Sequence, residues 1–274
     1  MASVNCNYSV TGTGPCIIFV HGIGARKSTW NSVIKHLESD FTCVSYDLRG
    51  HGDSPTGELP YSLEDLVNDV EVIRRQLNIK KMHIIGHSLG GMIGPLYALN
   101  YPKQTLSVSL LSTAAFRTED DKSKVNAVLK SMHEKGIERI LGTLTDRWFT
   151  DDFIEQNSIA VESRLQQVLD TNPEVFLEVF RIYAETEMSP WLNLVTQPCL
   201  VLTGENDGGC SPRLNKLIAE ELPNSELCIL KDYKHSLLIE APDQVAQQVY
   251  KFLLSKNQIS TITYKILVIK QGYN

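Results

Sequence analysis

Apolar runs of four to six residues recur along this chain, separated by helical patterns. Cys16–Val20, Phe41–Tyr46, Met82–Ile85, Leu106–Leu111, Cys199–Leu202 and Glu226–Leu230 are rich in Val, Ile and Leu. They are largely apolar at successive positions, the pattern of strands buried on both faces. Between them the period lengthens. Tyr61–Leu77 sets Leu63, Leu66, Val67, Val70, Ile73 and Leu77 on one helical face, with Ser62 placed to cap it and Asp65 three residues on. Ser28–Glu38, Leu89–Asn100, Pro212–Glu221 and Pro242–Leu254 read as further helices. Strands alternating with helices of this size predict an α/β fold, a mostly parallel sheet with helices on both faces.

The alternation breaks once. From about 116 to 190 there is no good strand, only helical segments at Ser123–Lys135, Gly136–Leu144, Asp151–Leu169 and Pro173–Glu185. An all-helical insertion between two strands of a parallel sheet predicts a cap. The chain divides into a core of 1–115 and 191–257, a helical cap of 116–190, and a tail of 258–274. In the tail Ile262, Tyr264, Ile266 and Val268 alternate with other residues, so it reads as one more strand, β-prone and low in charge.

Composition narrows the classes of function. A chain of 274 residues with 42% hydrophobic and 21% charged residues has the usage of an ordinary globular domain and ample material for a core. The net charge of −6 comes with no basic stripe, which argues against nucleic acid as a partner. No apolar run reaches the roughly 18 residues of a membrane span, and MASVNCNYSV lacks the basic and apolar regions of a signal peptide. The six cysteines are scattered without CxxC or zinc spacing. A reduced, cytoplasmic protein with no metal or cofactor is expected, its oligomeric state open.

The chemistry starts at Gly86-His87-Ser88-Leu89-Gly90, a G-x-S-x-G motif after a predicted strand and at the start of a predicted helix. The turn must be tight, and a Cβ at either glycine would collide with its neighbours. Ser88 then stands at the C-terminal edge of the sheet, where open α/β sheets bind ligands. Serine needs a base, and the base an orienting acid. After Ser88 the histidines are His133, in the helical insertion, and His235, after the last core strand; His235 is the better placed. Asp207 ends the preceding strand beside Gly208 and Gly209 and is the candidate acid, with Glu205 and Asp232 as rivals. The expected oxyanion donors are the amides of Leu89, at a helix N-terminus, and Ile23, in the loop FVHGIGA after the first parallel strand. The charged loop Asp47–Ser54 reads as structural, tied down by its own ion pairs.

Together HGIGA, DLRGHGDS, GHSLGG, GENDGG and KHSLLIEAP resemble the α/β-hydrolase superfamily, from about Tyr8 to Lys256. The resemblance implies eight strands, mostly parallel, and a helical cap before the acid strand. LGGMIGPLYALNYP, Ser112–Ala115 and Arg147-Trp148-Phe149-Thr150 look like the 3-oxoadipate enol-lactonase branch, which opens a lactone bearing a free carboxylate. That implies that Arg147 or Trp148 contacts the carboxylate or walls the pocket; the alternative pairs Arg147 with Asp146, Asp151 or Asp152 and packs Trp148 in the cap–core seam. ENDGGCSPRLN departs from the DD-x-x-x-P pattern of that branch, which bears on the substrate more than on the triad. Haloalkane dehalogenases and epoxide hydrolases of this fold carry aspartate where this chain has Ser88. The expected function is hydrolysis of a small ester or lactone through an acyl-enzyme. The alternatives are a carbon–carbon bond hydrolase using the same triad, and a lactone-binding protein with a vestigial site.

Overall fold

The structure, a computed structural model, describes residues 4–256. Its strands are β1 Tyr8–Thr11, β2 Cys16–Val20, β3 Thr42–Tyr46, β4 Met82–His87, β5 Thr105–Leu111, β6 Cys199–Gly204 and β7 Ser225–Leu230. They form one sheet in the order β1-β3-β2-β4-β5-β6-β7. β1 runs antiparallel to β3, and every other neighbouring pair is parallel. The described residues hold seven strands, where the resemblance implied eight. β1 had no counterpart among the apolar runs, because Ser9, Val10 and Thr11 are exposed and Tyr8 is half-buried. The strand predicted in the tail lies outside the described residues.

The helices are α1 Asn31–Ile34, α2 Leu63–Gln76, α3 Gly90–Asn100, α4 Glu119–Lys135, α5 Leu141–Trp148, α6 Asp151–Gln156, α7 Ser158–Leu169, α8 Pro173–Glu185, α9 Pro212–Glu221, α10 Leu237–Glu240 and α11 Pro242–Lys256. α4 to α8 make up the insertion. Three helices expected whole are broken, among them Gly136–Leu144, where a 3₁₀ turn at Glu138–Ile140 precedes α5. Ser28–Glu38 forms a 3₁₀ turn at Lys27–Trp30 and then the single turn of α1, in a stretch where Ser, Thr and Asn compete for backbone groups. Asp151–Leu169 splits at Asn157, whose φ of −133° and ψ of 42° leave the helical region. α2 starts as expected, with Ser62 and Asp65 forming a reciprocal capping box. No helix among the described residues is long and apolar enough to cross a membrane.

Successive strand residues feed opposite faces of the sheet. Ile18, Val20, Val44 and Tyr46 pack with Leu66, Val70, Met92 and Ile93 from α2 and α3. Ile17, Phe19 and Cys43 pack on the other face with Trp30, Leu37, Val245 and Phe252. β2 sits between β3 and β4, and Val20 lies opposite Gly86. The chain order therefore reverses at β2, so the loops after β2 and β4 leave the sheet side by side at its C-terminal edge.

Candidate active site

Ser88 turns the chain from β4 into α3 with a φ of 56°, in the left-handed region that L-residues rarely occupy. Close approach on either side enforces the turn. A Cβ on Gly86 would lie 1.9 Å from the Gly90 carbonyl oxygen, and one on Gly90 would lie 2.2 Å from that of Val20. The Ser88 amide donates to Leu111 O at 2.8 Å, and its carbonyl accepts from Thr113 Oγ1 at 2.9 Å. Strain of order 1–3 kcal/mol held by surrounding contacts is typical of functional positions.

Asp207 and His235 come from the loops after β6 and β7. Asp207 Oδ1 accepts the amides of Gly209 at 3.0 Å and Cys210 at 2.8 Å, and Oδ2 meets His235 Nδ1 at 2.7 Å. Burial alone would raise the Asp207 carboxyl; His235 and the two amides hold it below its ordinary value. Burial alone would lower His235; the charge and hydrogen bond of Asp207 override this and raise it. The His235 carbonyl accepts from His87 Nε2 at 2.9 Å, and the next amide, Ser236, donates to Trp148 O at 2.8 Å. The rival residues Glu205, Asp232 and His133 are exposed.

The loop after β2 is fixed group by group. Leu48 N donates to His21 Nε2 at 2.9 Å, which leaves the proton on Nδ1 to donate to Gly22 O at 2.7 Å. Gly24 N donates to His51 Nε2 at 3.1 Å. Burial keeps both rings neutral, with His51 down at about 4 and His21 also well below its ordinary value. A Cβ on Gly22 would lie 3.0 Å from Ser88 Cβ, so this loop borders the serine directly. Among the described residues neither the Ile23 nor the Leu89 amide finds an acceptor.

These parts meet at a cavity of about 110 Å³. Ile23, Ser88, Asp207, His235, Arg147 and Trp148, all expected from sequence, line it; Leu89 is buried beside Ser88 and is not among the lining residues. Arg147 is exposed and makes none of the ion pairs weighed for it; Asp151 pairs with Lys234 at 3.1 Å instead. Trp148 is stacked 4.5 Å from the guanidinium of Arg164. Arg164, Phe176, Phe180, Tyr183 and Cys210 also line the cavity and were not singled out from sequence. The available signal for Arg164 was a charge between Val161 and Val168 on the buried face of α7. Asp207, Cys210 and His235 are the one group among the described residues whose donor atoms, within 4.8 Å of one another, could hold a metal ion. Asp207 and His235 already satisfy each other there.

A family model for the alpha/beta hydrolase fold matches residues 15–135. The chain has the α/β-hydrolase fold. It is 29% identical over 241 residues to 3-oxoadipate enol-lactonase 2 of Acinetobacter baylyi, covering 87% of this chain and 89% of that one. It is 26% identical to monoacylglycerol lipase ABHD6 of Bos taurus, covering 89% and 77%. Among solved structures, the enol-lactonase from Burkholderia xenovorans LB400 superposes with a TM-score of 0.85 at 24% identity, over 92% of this chain and 98% of that one. These similarities support a hydrolase of the α/β family.

Proposed function

We propose that this hydrolase cleaves a small carboxylic ester or lactone through an acyl-enzyme on Ser88. The observation that carries the reading is the meeting of a left-handed Ser88 with the Asp207–His235 pair on one cavity. His235 takes the Ser88 proton as the hydroxyl attacks the acyl carbon, and Asp207 holds the imidazole in the required tautomer. The Ile23 and Leu89 amides receive the oxyanion. His235 then protonates the leaving oxygen, and water releases the acid by the same route. Nothing in this cycle calls for a metal or cofactor.

An enol-lactone with a free carboxylate is the first substrate to try. Two enol-lactonases are among the relatives, and the cationic side chains Arg147 and Arg164 line the cavity with no carboxylate partner among the described residues. Six free cysteines suit a reducing compartment, which supports the cytoplasmic reading. Ser88→Ala is expected to fold normally and to lose on the order of 10⁴-fold or more in kcat. Near-full activity in that variant would overturn the triad. Faster turnover of a meta-cleavage diketone than of an enol-lactone would instead make the protein a carbon–carbon bond hydrolase.

A further inference from the structure

We propose that Arg164 is a positioning residue that fastens the oxyanion loop to the helical insertion, so that the oxyanion hole is complete only while the insertion is seated. This rests on the reading of the Ile23 amide as an oxyanion donor.

α7 carries Arg164 into the interior between Val161 and Val168. Its side chain meets no carboxylate among the described residues, and burial pushes its guanidinium down to about 10, so it stays charged at neutral pH. A lone buried charge is costly unless its hydrogen bonds are satisfied. Here two carbonyls satisfy them: Nη1 donates to Gly24 O at 2.6 Å and Nη2 to Ile23 O at 2.9 Å. The face of Trp148, 4.5 Å away, orients the fork.

The loop is thus held from two sides. The core takes Gly22 O through His21 and Gly24 N through His51. The insertion takes Ile23 O and Gly24 O through Arg164. It also packs onto the loop backbone, since a Cβ on Gly24, whose φ is +59°, would lie 2.6 Å from Phe176 and 3.2 Å from Val168. The Ile23 amide lies between these four anchored groups. If the insertion lifts, the carbonyls on both sides of the Gly24 nitrogen lose their donors and the two core bonds remain. Oxyanion donors work by being in place before charge develops, and a displaced donor forfeits most of that benefit.

The test uses p-nitrophenyl acetate, a neutral ester, so that recognition of a substrate carboxylate cannot contribute. Arg164→Met keeps an apolar stem and removes the fork. It is expected to lower kcat by about 30- to 100-fold with KM within about threefold, and Arg164→Lys to recover part of the loss. Affinity for a trifluoromethyl ketone, which adds to the serine as a tetrahedral oxyanion, should fall by the same factor as kcat/KM. Affinity for the unreactive methyl ketone of the same shape should hold. Thermal unfolding checks that the variants fold, and if Arg164→Met does not, Arg164→Lys carries the comparison. Wild-type kcat and trifluoromethyl ketone affinity in the folded variant would overturn the proposal, as would a loss confined to KM. A fluorophosphonate separates the two readings: no labelling of Ser88 in the wild type sinks the serine-hydrolase reading itself. Labelling with an indifferent Arg164 sinks only this one.

Discussion

Arg49 and Arg164 are both buried, 2% and 8% exposed, and Arg49 meets a carboxylate where Arg164 meets none among the described residues. Arg49 Nε and Nη2 each reach Asp69 at 2.7 Å, and Nη2 also reaches Asp65 O at 3.1 Å. Burial works against its charge, yet Asp69 raises it above the ordinary arginine value. The pair pins the loop after β3 to α2, away from the cavity. Arg164 has two carbonyls and an indole in place of a counter-ion, and it lines the cavity. A buried cation that is neutralised holds the fold together. One left unneutralised keeps its field, and here that field falls on the loop beside Ser88.

The contrast breaks first at Arg49. Arg49→Met strands Asp69 in the core, and denaturant unfolding should show a loss of about 3–5 kcal/mol. The double variant Arg49→Met/Asp69→Leu should regain most of it, because replacing both partners removes the stranded charge. A single-variant loss below about 1 kcal/mol would show that the pair is not structural. Arg164→Met, which removes an unneutralised charge, should cost far less stability than Arg49→Met while costing more kcat.

Two glycines sharpen the same comparison with smaller effects. Gly24→Ala forces a left-handed alanine against Phe176, at a cost of about 2 kcal/mol and at least about tenfold in kcat as the loop shifts. Gly142, in α5, has nothing within 4 Å of an added Cβ, so Gly142→Ala should raise stability by about 0.5–1 kcal/mol. Equal outcomes at the two positions would mean that the insertion does not press on the oxyanion loop. The smallest effect is expected at Arg26, whose ion pair with Asp170 spans loop and insertion at 2.8 Å but is 36% and 41% exposed. Arg26→Ala should change stability by under about 0.5 kcal/mol.

What could be read from sequence follows from where each signal lives. Strands β2 to β6, buried on both faces, were legible because Val, Ile and Leu dominate them, and α2 because its cap and its stripe agree; β7 was legible as an apolar run although Glu226 and Leu227 are exposed at the sheet edge. The positions of Ser88 and Asp207 at the C-terminal edge of the sheet were legible from the glycines at their strand ends, and that of His235 from its place after the last core strand. β1 was not, since an exposed edge strand has no apolar alternation to show. The Asp47–Ser54 loop was read correctly as structural but with the wrong partners. Asp47 accepts from Lys27 at 2.8 Å, and Arg49 pairs with Asp69 on α2, contacts between segments that sequence distance hides. Arg164 escaped for the same reason: its role is defined by two backbone carbonyls 140 and 141 positions away.

The central claim is that Ser88 is the nucleophile, and the most direct test is a burst experiment with p-nitrophenyl acetate followed by intact and peptide mass. The account predicts a burst of about one equivalent in the wild type, with an acetyl group on the peptide containing Ser88. Ser88→Ala should show neither. Acetyl transfer to another residue, or a burst that survives Ser88→Ala, would contradict it.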